Sequence, residues 1–239
     1  MVMRNSLYII ALTGAICCVG SAVADDATSA LAVKGKIVPG SCTPTLSNGG
    51  KVDYGTIQTT SLFRPSNSLG VKNITLSISC NDKAYVGFTA TDNRRGSVAE
   101  NIEVANSFSA KTTVSNNTSY TSYLFGLGTT LEDKPVGAFT IGIDVNNVSL
   151  DGASLQNKTL YYSLDNVGWA ANYTGGIYPY TSEFPAVQGF RTSSVSTPLA
   201  FKEAEIPLII SAAIVDAREL SVTDKVTLDG NVTFSIIYL

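Results

Sequence analysis

An all-β fold arranged as a β-sandwich is what three observations on the sequence predict. Short runs alternate large apolar and polar side chains, the period of a half-buried strand. No stretch of helical period lasts three turns. Polar loops rich in Gly, Asn and Ser separate the runs at the spacing of sandwich strands.

The elements follow in order. "ALAVKGKIV" (30–38) reads as the first strand, and "SNGG" (47–50) as a turn-rich loop after it. "NITLSISC" (73–80) alternates strictly, with Ile74, Leu76, Ile78 and Cys80 on one face. The dipeptide "ND" is a hairpin-like break before the next strand, "AYVGFTA" (84–90). "GAFTIGIDV" (137–145) puts Phe139, Ile141, Ile143 and Val145 on one side. "EIPLIISAAIV" (205–215) is near-continuously apolar, as expected of a strand buried on both faces, and Pro207 places a bulge or edge at its start. Between them, 114–119 and 171–190 read as loops.

"KVTLDGNVTFSIIYL" (225–239) closes the chain, with Val232, Phe234, Ile236 and Tyr238 on one face. Termini fray unless they are tied down, so this strand needs a partner. Two readings stand: pairing inside a complete sheet, or pairing with another chain.

The compartment follows from the N-terminus. Arg4, the apolar "LYIIALTGAICCV" (7–19) and the small-x-small "AVA" (22–24) have the form of a secretory signal peptide over 1–24, leaving one domain at 25–239. The expected location is the periplasm or cell surface. The apolar stretch is too short to span a bilayer, and no membrane span is expected in the mature chain. Cys17 and Cys18 leave with the signal, so Cys42 and Cys80 remain and most simply form one disulfide in an oxidising compartment.

Composition narrows the function classes. Removing Arg4 from the 16 basic residues leaves 15 against 19 acids, and no basic run exceeds "RR" (94–95). Nothing in that pattern favours nucleic acid. With no histidine, no third mature cysteine and no G-x-S-x-G, neither a nucleophile–base pair nor a metal site is expected, and no cofactor is implied. Glu100, Glu103, Glu132, Asp133, Glu203 and Glu205 sit in segments rich in surface residues rather than as a glycosidase pair. "DVNNVSLDG" (144–152) lacks the ligand at Val148 and the distal Glu of an EF-hand. The chain reads as a non-enzyme.

Aromatic residues crowd 161–190 beside Asn166, Asn172 and Gln188. Rings that stack on sugar faces next to orienting amides make a glycan-binding surface, and Trp169, Tyr173, Tyr178 and Tyr180 are the residues for it. The competing reading is sandwich packing, above all for Trp169, the one tryptophan.

"SCTPTLSNGGKVDYG" (41–55), "DNRRGS" (92–97), "FGLGT" (125–129), "IGID" (141–144) and "LDGNVTFSIIYL" (228–239) resemble the GltF-like family of exported enterobacterial proteins, related to pilin-type fimbrial subunits. The resemblance runs over nearly the whole mature chain. It implies an immunoglobulin-like sandwich whose disulfide pins the first strand to the second. It also implies a subunit that lacks one strand, with an apolar groove filled by a periplasmic chaperone or a neighbouring subunit. A second implication is an indirect effect on nitrogen or glutamate metabolism. As a donor the N-terminus looks poor: counting by twos gives Asp25, Ala27 and Ser29, then Leu31 and Val33, which belong to the expected first strand.

Overall fold

The computed structural model describes residues 31–36, 40–105, 113–115, 123–155, 158–163, 168–182, 185–192, 198–220 and 225–239. Two compact units divide the chain, Met1–Val38 and Pro39–Leu239. In the first, Leu31–Lys36 belongs to no strand, and Leu31 and Val33 are 91% and 90% exposed. This corrects the expected first strand over 30–38, of which Ala30, Ile37 and Val38 lie outside the described residues. Alternation makes a segment fit to be a strand, but a ladder partner makes it one.

The second unit opens with β1 (Cys42–Leu46), and then comes β2 (Asn67–Asp92), one strand of 26 residues. The expected break at Asn81–Asp82 is absent. Ladders hold the backbone extended on both sides of it, and the Asn81 N–H donates to the Ser41 carbonyl at 2.9 Å. The polar side chains there stay exposed, so crossing from one sheet to the other leaves no polar group buried. Further on are β3 (Glu103–Ala105), β4 (Thr113–Ser115), β5 (Leu124–Gly126), β6 (Gly137–Ile143), β7 (Ser149–Leu150) and β8 (Ala153–Ser154). β9 (Lys158–Ser163), β10 (Trp169–Ala171), β11 (Val187–Thr192), β12 (Ala200–Ile214), the short helix α1 (Ala217–Leu220) and β13 (Val232–Tyr238) complete the series.

Because β2 is so long, it serves two sheets. Its first part pairs with β1 and β12, and β12 continues to β6 and β5. Its last part pairs with β13 over Val86–Asp92 and meets β11 at Phe88, and β11 continues to β9 and β10. Every pairing between these strands is antiparallel. Pro207 lies within β12 rather than at its start. Its carbonyl faces Asp144, and its missing N–H falls in the gap between the β7 and β6 ladders, so no bond is lost.

Register builds the core. Leu208 sits opposite Ile74 and Ile143, and Ile210 sits opposite Ile141, which gives one continuous apolar face. Phe88 and Phe190 of the other sheet are fully buried, and Phe190 meets Phe201 of β12 edge-on at 6.1 Å. Cys42 and Cys80 stand opposite in register with Cα atoms 4.0 Å apart and are disulfide-bonded, joining β1 to β2. The protein is thus an all-β antiparallel fold with one disulfide.

Candidate functional site: an open interior groove

The apolar face of β12, β2 and β6 is only partly roofed. Over Ile74, Leu208, Ile210, Phe139 and Ile141 runs a groove of about 660 Å³. Two extended segments form its walls. One is 51–57, after the 3₁₀ turn Ser47–Gly50, where Val52, Tyr54 and Ile57 turn inward and are partly buried. The other is 225–231 running into β13, where Val226, Leu228, Val232 and Phe234 turn inward.

Neither wall is closed by a ladder. Among the described residues, 51–57 belongs to no strand, and 225–231 is tied by the Asp229 N–H to the Leu127 carbonyl and by Asn231 to Asn93. Tyr54 is the wall's fixed point. Its hydroxyl donates to the Ile210 carbonyl at 3.2 Å, and burial pushes its pKa up to about 12.

β13 presents its free edge on this side. The Asn93 N–H donates to the Asn231 carbonyl, and the Leu239 N–H donates to the Tyr85 carbonyl, each at 2.9 Å. In an antiparallel ladder these narrow pairs alternate, so Asn231, Thr233, Ser235, Ile237 and Leu239 turn their backbone groups toward β2. Val232, Phe234, Ile236 and Tyr238 therefore turn theirs away from it, and among the described residues no strand pairs there. At the far end the Tyr238 hydroxyl accepts the Cys42 N–H at 2.9 Å and brings β13 up to β1. The strand predicted for 232–239 is thus paired on one edge within the chain and open on the other.

The expected aromatic surface is divided. Tyr161 and Tyr162 are neighbours on β9 and point to opposite faces. On the Tyr161 side, the Arg191 guanidinium lies 5.4 Å from the Tyr161 ring and 5.3 Å from the Trp169 ring, and Trp169 packs on Gly189. On the Tyr162 side, Tyr178 stacks on Tyr123 with centroids 4.0 Å apart and their hydroxyls in contact. Burial, then the Tyr123 hydroxyl, raises the Tyr178 pKa above the ordinary phenol value. Tyr173 stands apart at 85% exposure, and Tyr180 is partly buried, its N–H donating to Ala90. Trp169 and Tyr178 do not share a face.

From the sequence, 51–55 stand out only as the end of the motif "SCTPTLSNGGKVDYG", not as part of a site. The available signal was Val52 and Tyr54 alternating in "KVDYG", the pattern of a strand, with no partner strand nearby in the sequence.

Fold and groove together define a disulfide-joined antiparallel β protein with an opening into its interior. The chain belongs to the family described as "Protein of unknown function (DUF1120)", which matches residues 31–140. It is 32% identical over 234 residues to Protein GltF of Escherichia coli strain K12, covering 92% of each chain. It is 33% identical over 230 residues to the uncharacterized protein YhcF of the same organism, covering 92% of this chain and 93% of that one.

Proposed function

We propose that this is an exported, non-enzymatic, pilin-type β-sandwich that accepts a strand in its groove from a periplasmic chaperone or another subunit. One observation carries the reading. The free edge of β13 borders a partly roofed strip of apolar core, so backbone groups without a ladder partner and the half-buried apolar side chains of the groove walls lie side by side. One added extended segment satisfies both. Its backbone continues the β13 ladder, and its alternate side chains fill the groove, each burying apolar area worth about 1.5–3 kcal/mol.

The exposed N-terminal segment has the required pattern. Leu31, Val33 and Ile37 are large and apolar at every second position, with Gly35 between them. Leu31 and Val33 are held in no strand and are exposed, so both are free to serve as donor side chains. Signal-peptide cleavage after Ala24 and residence in the periplasm or at the cell surface belong to the same proposal, since a strand acceptor of this kind meets its partner after export.

Native mass spectrometry of the exported protein is the test. Complexes with a periplasmic chaperone or with further copies are expected, and the copy–copy complexes should disappear in Val33→Asp. A stable monomer that captures no strand under any condition overturns the reading.

A further inference from the structure

The motifs "DNRRGS", "FGLGT" and "LDGNVTFSIIYL" are far apart in sequence and meet at one junction beside the groove. Asp92 lies at its base. One carboxylate oxygen accepts the Arg94 N–H and the other accepts the Gly126 N–H, both at 2.8 Å. Desolvation is the largest influence on this buried carboxylate and raises its pKa, against the two N–H groups and Arg94 and Arg95, which lower it. Ser97 adds a second tie, its hydroxyl accepting the Gly128 N–H at 2.9 Å while donating to the Arg94 carbonyl at 2.7 Å. The three strand-end segments leave no room for side chains: a Cβ on Gly126 would sit 1.9 Å from the Arg94 carbonyl oxygen.

From this base two adjacent side chains reach across to the wall of the groove. Arg94 donates from Nε and Nη2 to one oxygen of Asp229, each at 2.7 Å. Asn93 donates from Nδ2 to the Asn231 side-chain oxygen and to the Thr233 hydroxyl. Asp229, Asn231 and Thr233 are alternate residues, and so are Leu228, Gly230, Val232 and Phe234, which face the groove. The wall is therefore gripped through its outward side chains, while its groove side is left clear.

We propose that Asn93 and Arg94 are positioning residues of the strand-accepting site, holding 229–233 extended so that an entering strand meets a ready-made edge. The inference rests on the strand-acceptor reading. Its physical basis is preorganisation: without the grip, residues 226–231 must be ordered at the moment of binding, and affinity falls. A general structural role would lower global stability instead. Arg94 and Asp229 are substantially solvent-exposed, and such a pair adds little to folding.

The test compares the exported full chain with Asn93→Ala/Arg94→Ala, using a synthetic peptide of residues 30–38 as the probe strand. Peptide binding by titration, amide hydrogen exchange and thermal unfolding are read in parallel. In the double variant, affinity should fall about tenfold. Exchange of the 226–231 amides should quicken at least as much, while β6 and β12 amides and the unfolding midpoint stay nearly unchanged. Arg94→Asp combined with Asp229→Arg should recover part of the affinity lost in Arg94→Asp alone. Equal peptide affinity in wild type and double variant overturns the positioning role and leaves the strand-acceptor reading standing. A uniform rise in exchange across the core also overturns it, because the two residues then hold up the whole fold. Failure of the wild type to bind the peptide or any chaperone strand overturns both.

Discussion

Replacing Phe234 measures how much of the interior the groove leaves open. Its ring lies 6.2 Å from that of Phe88, tilted by 53°, and its other side faces the groove. Truncating a fully buried Phe to Ala costs about 3–5 kcal/mol. Phe234 is only partly buried in the unfilled protein, so Phe234→Ala should cost about half of that, ~2 kcal/mol. A strand in the groove completes the burial and brings the loss up to the full value. The difference, again about 2 kcal/mol, appears as a roughly 30-fold weaker strand affinity. Phe234→Asp goes further, since it puts a carboxylate against the Phe88 ring and the apolar groove floor, where it loses hydration, and the fold should fail. Thr233→Asp is the neighbouring control: Thr233 is exposed, and an Asp there still accepts the Asn93 amide. Urea unfolding with and without the 30–38 peptide gives both terms. An equal cost of Phe234→Ala with and without peptide, or two equally mild aspartate variants, would mean that no strand covers the Phe234 ring in the groove.

Other perturbations have equally definite outcomes. Cys80→Ser opens the bridge between residues 38 apart in sequence and should lower stability by about 4 kcal/mol in chain-entropy terms; two titratable thiols in native, unreduced wild type would contradict the bond. Asp216 is held down to about 2 by the Arg218 guanidinium and then the Arg218 N–H, whereas an unfolded carboxyl titrates near 4. A depressed native pKa stabilises above the unfolded value and is lost as pH falls from about 4 toward 2, so Asp216→Asn should flatten the acid limb of the unfolding curve in that window. Unchanged acid sensitivity would show that the pair contributes nothing there. Gly126→Ala drives a methyl into the Arg94 carbonyl and should cost at least about 1–3 kcal/mol, read as a lowered urea midpoint.

Local pattern alone was enough for the β class, for the alternation of β6 and β13, for the apolar run of β12 and, with Cys17 and Cys18 assigned to the leader, for the bridge between Cys42 and Cys80. Each depends on side-chain period or on cysteine number, which a chain carries in any conformation. The two departures, at 81–82 and at 30–38, share one cause. "ND" at 81–82 looks like a turn by local preference, but ladders from β1 and β12 on one side and β13 on the other outweigh it and keep β2 extended. "ALAVKGKIV" looks like a core strand because alternation is the same with or without a ladder partner; the exposure of Leu31 and Val33 shows that 31–36 has none. Trp169 and Tyr178, close in sequence and alike in chemistry, were parted by the alternation of Tyr161 and Tyr162 on β9. The groove was the least legible feature of all. It lies between 51–57 and β13, segments nearly 180 residues apart that the sheets they border bring together. Sequence sets which faces are apolar. Whether each face is covered depends on long-range pairing, and only the tertiary structure decides it.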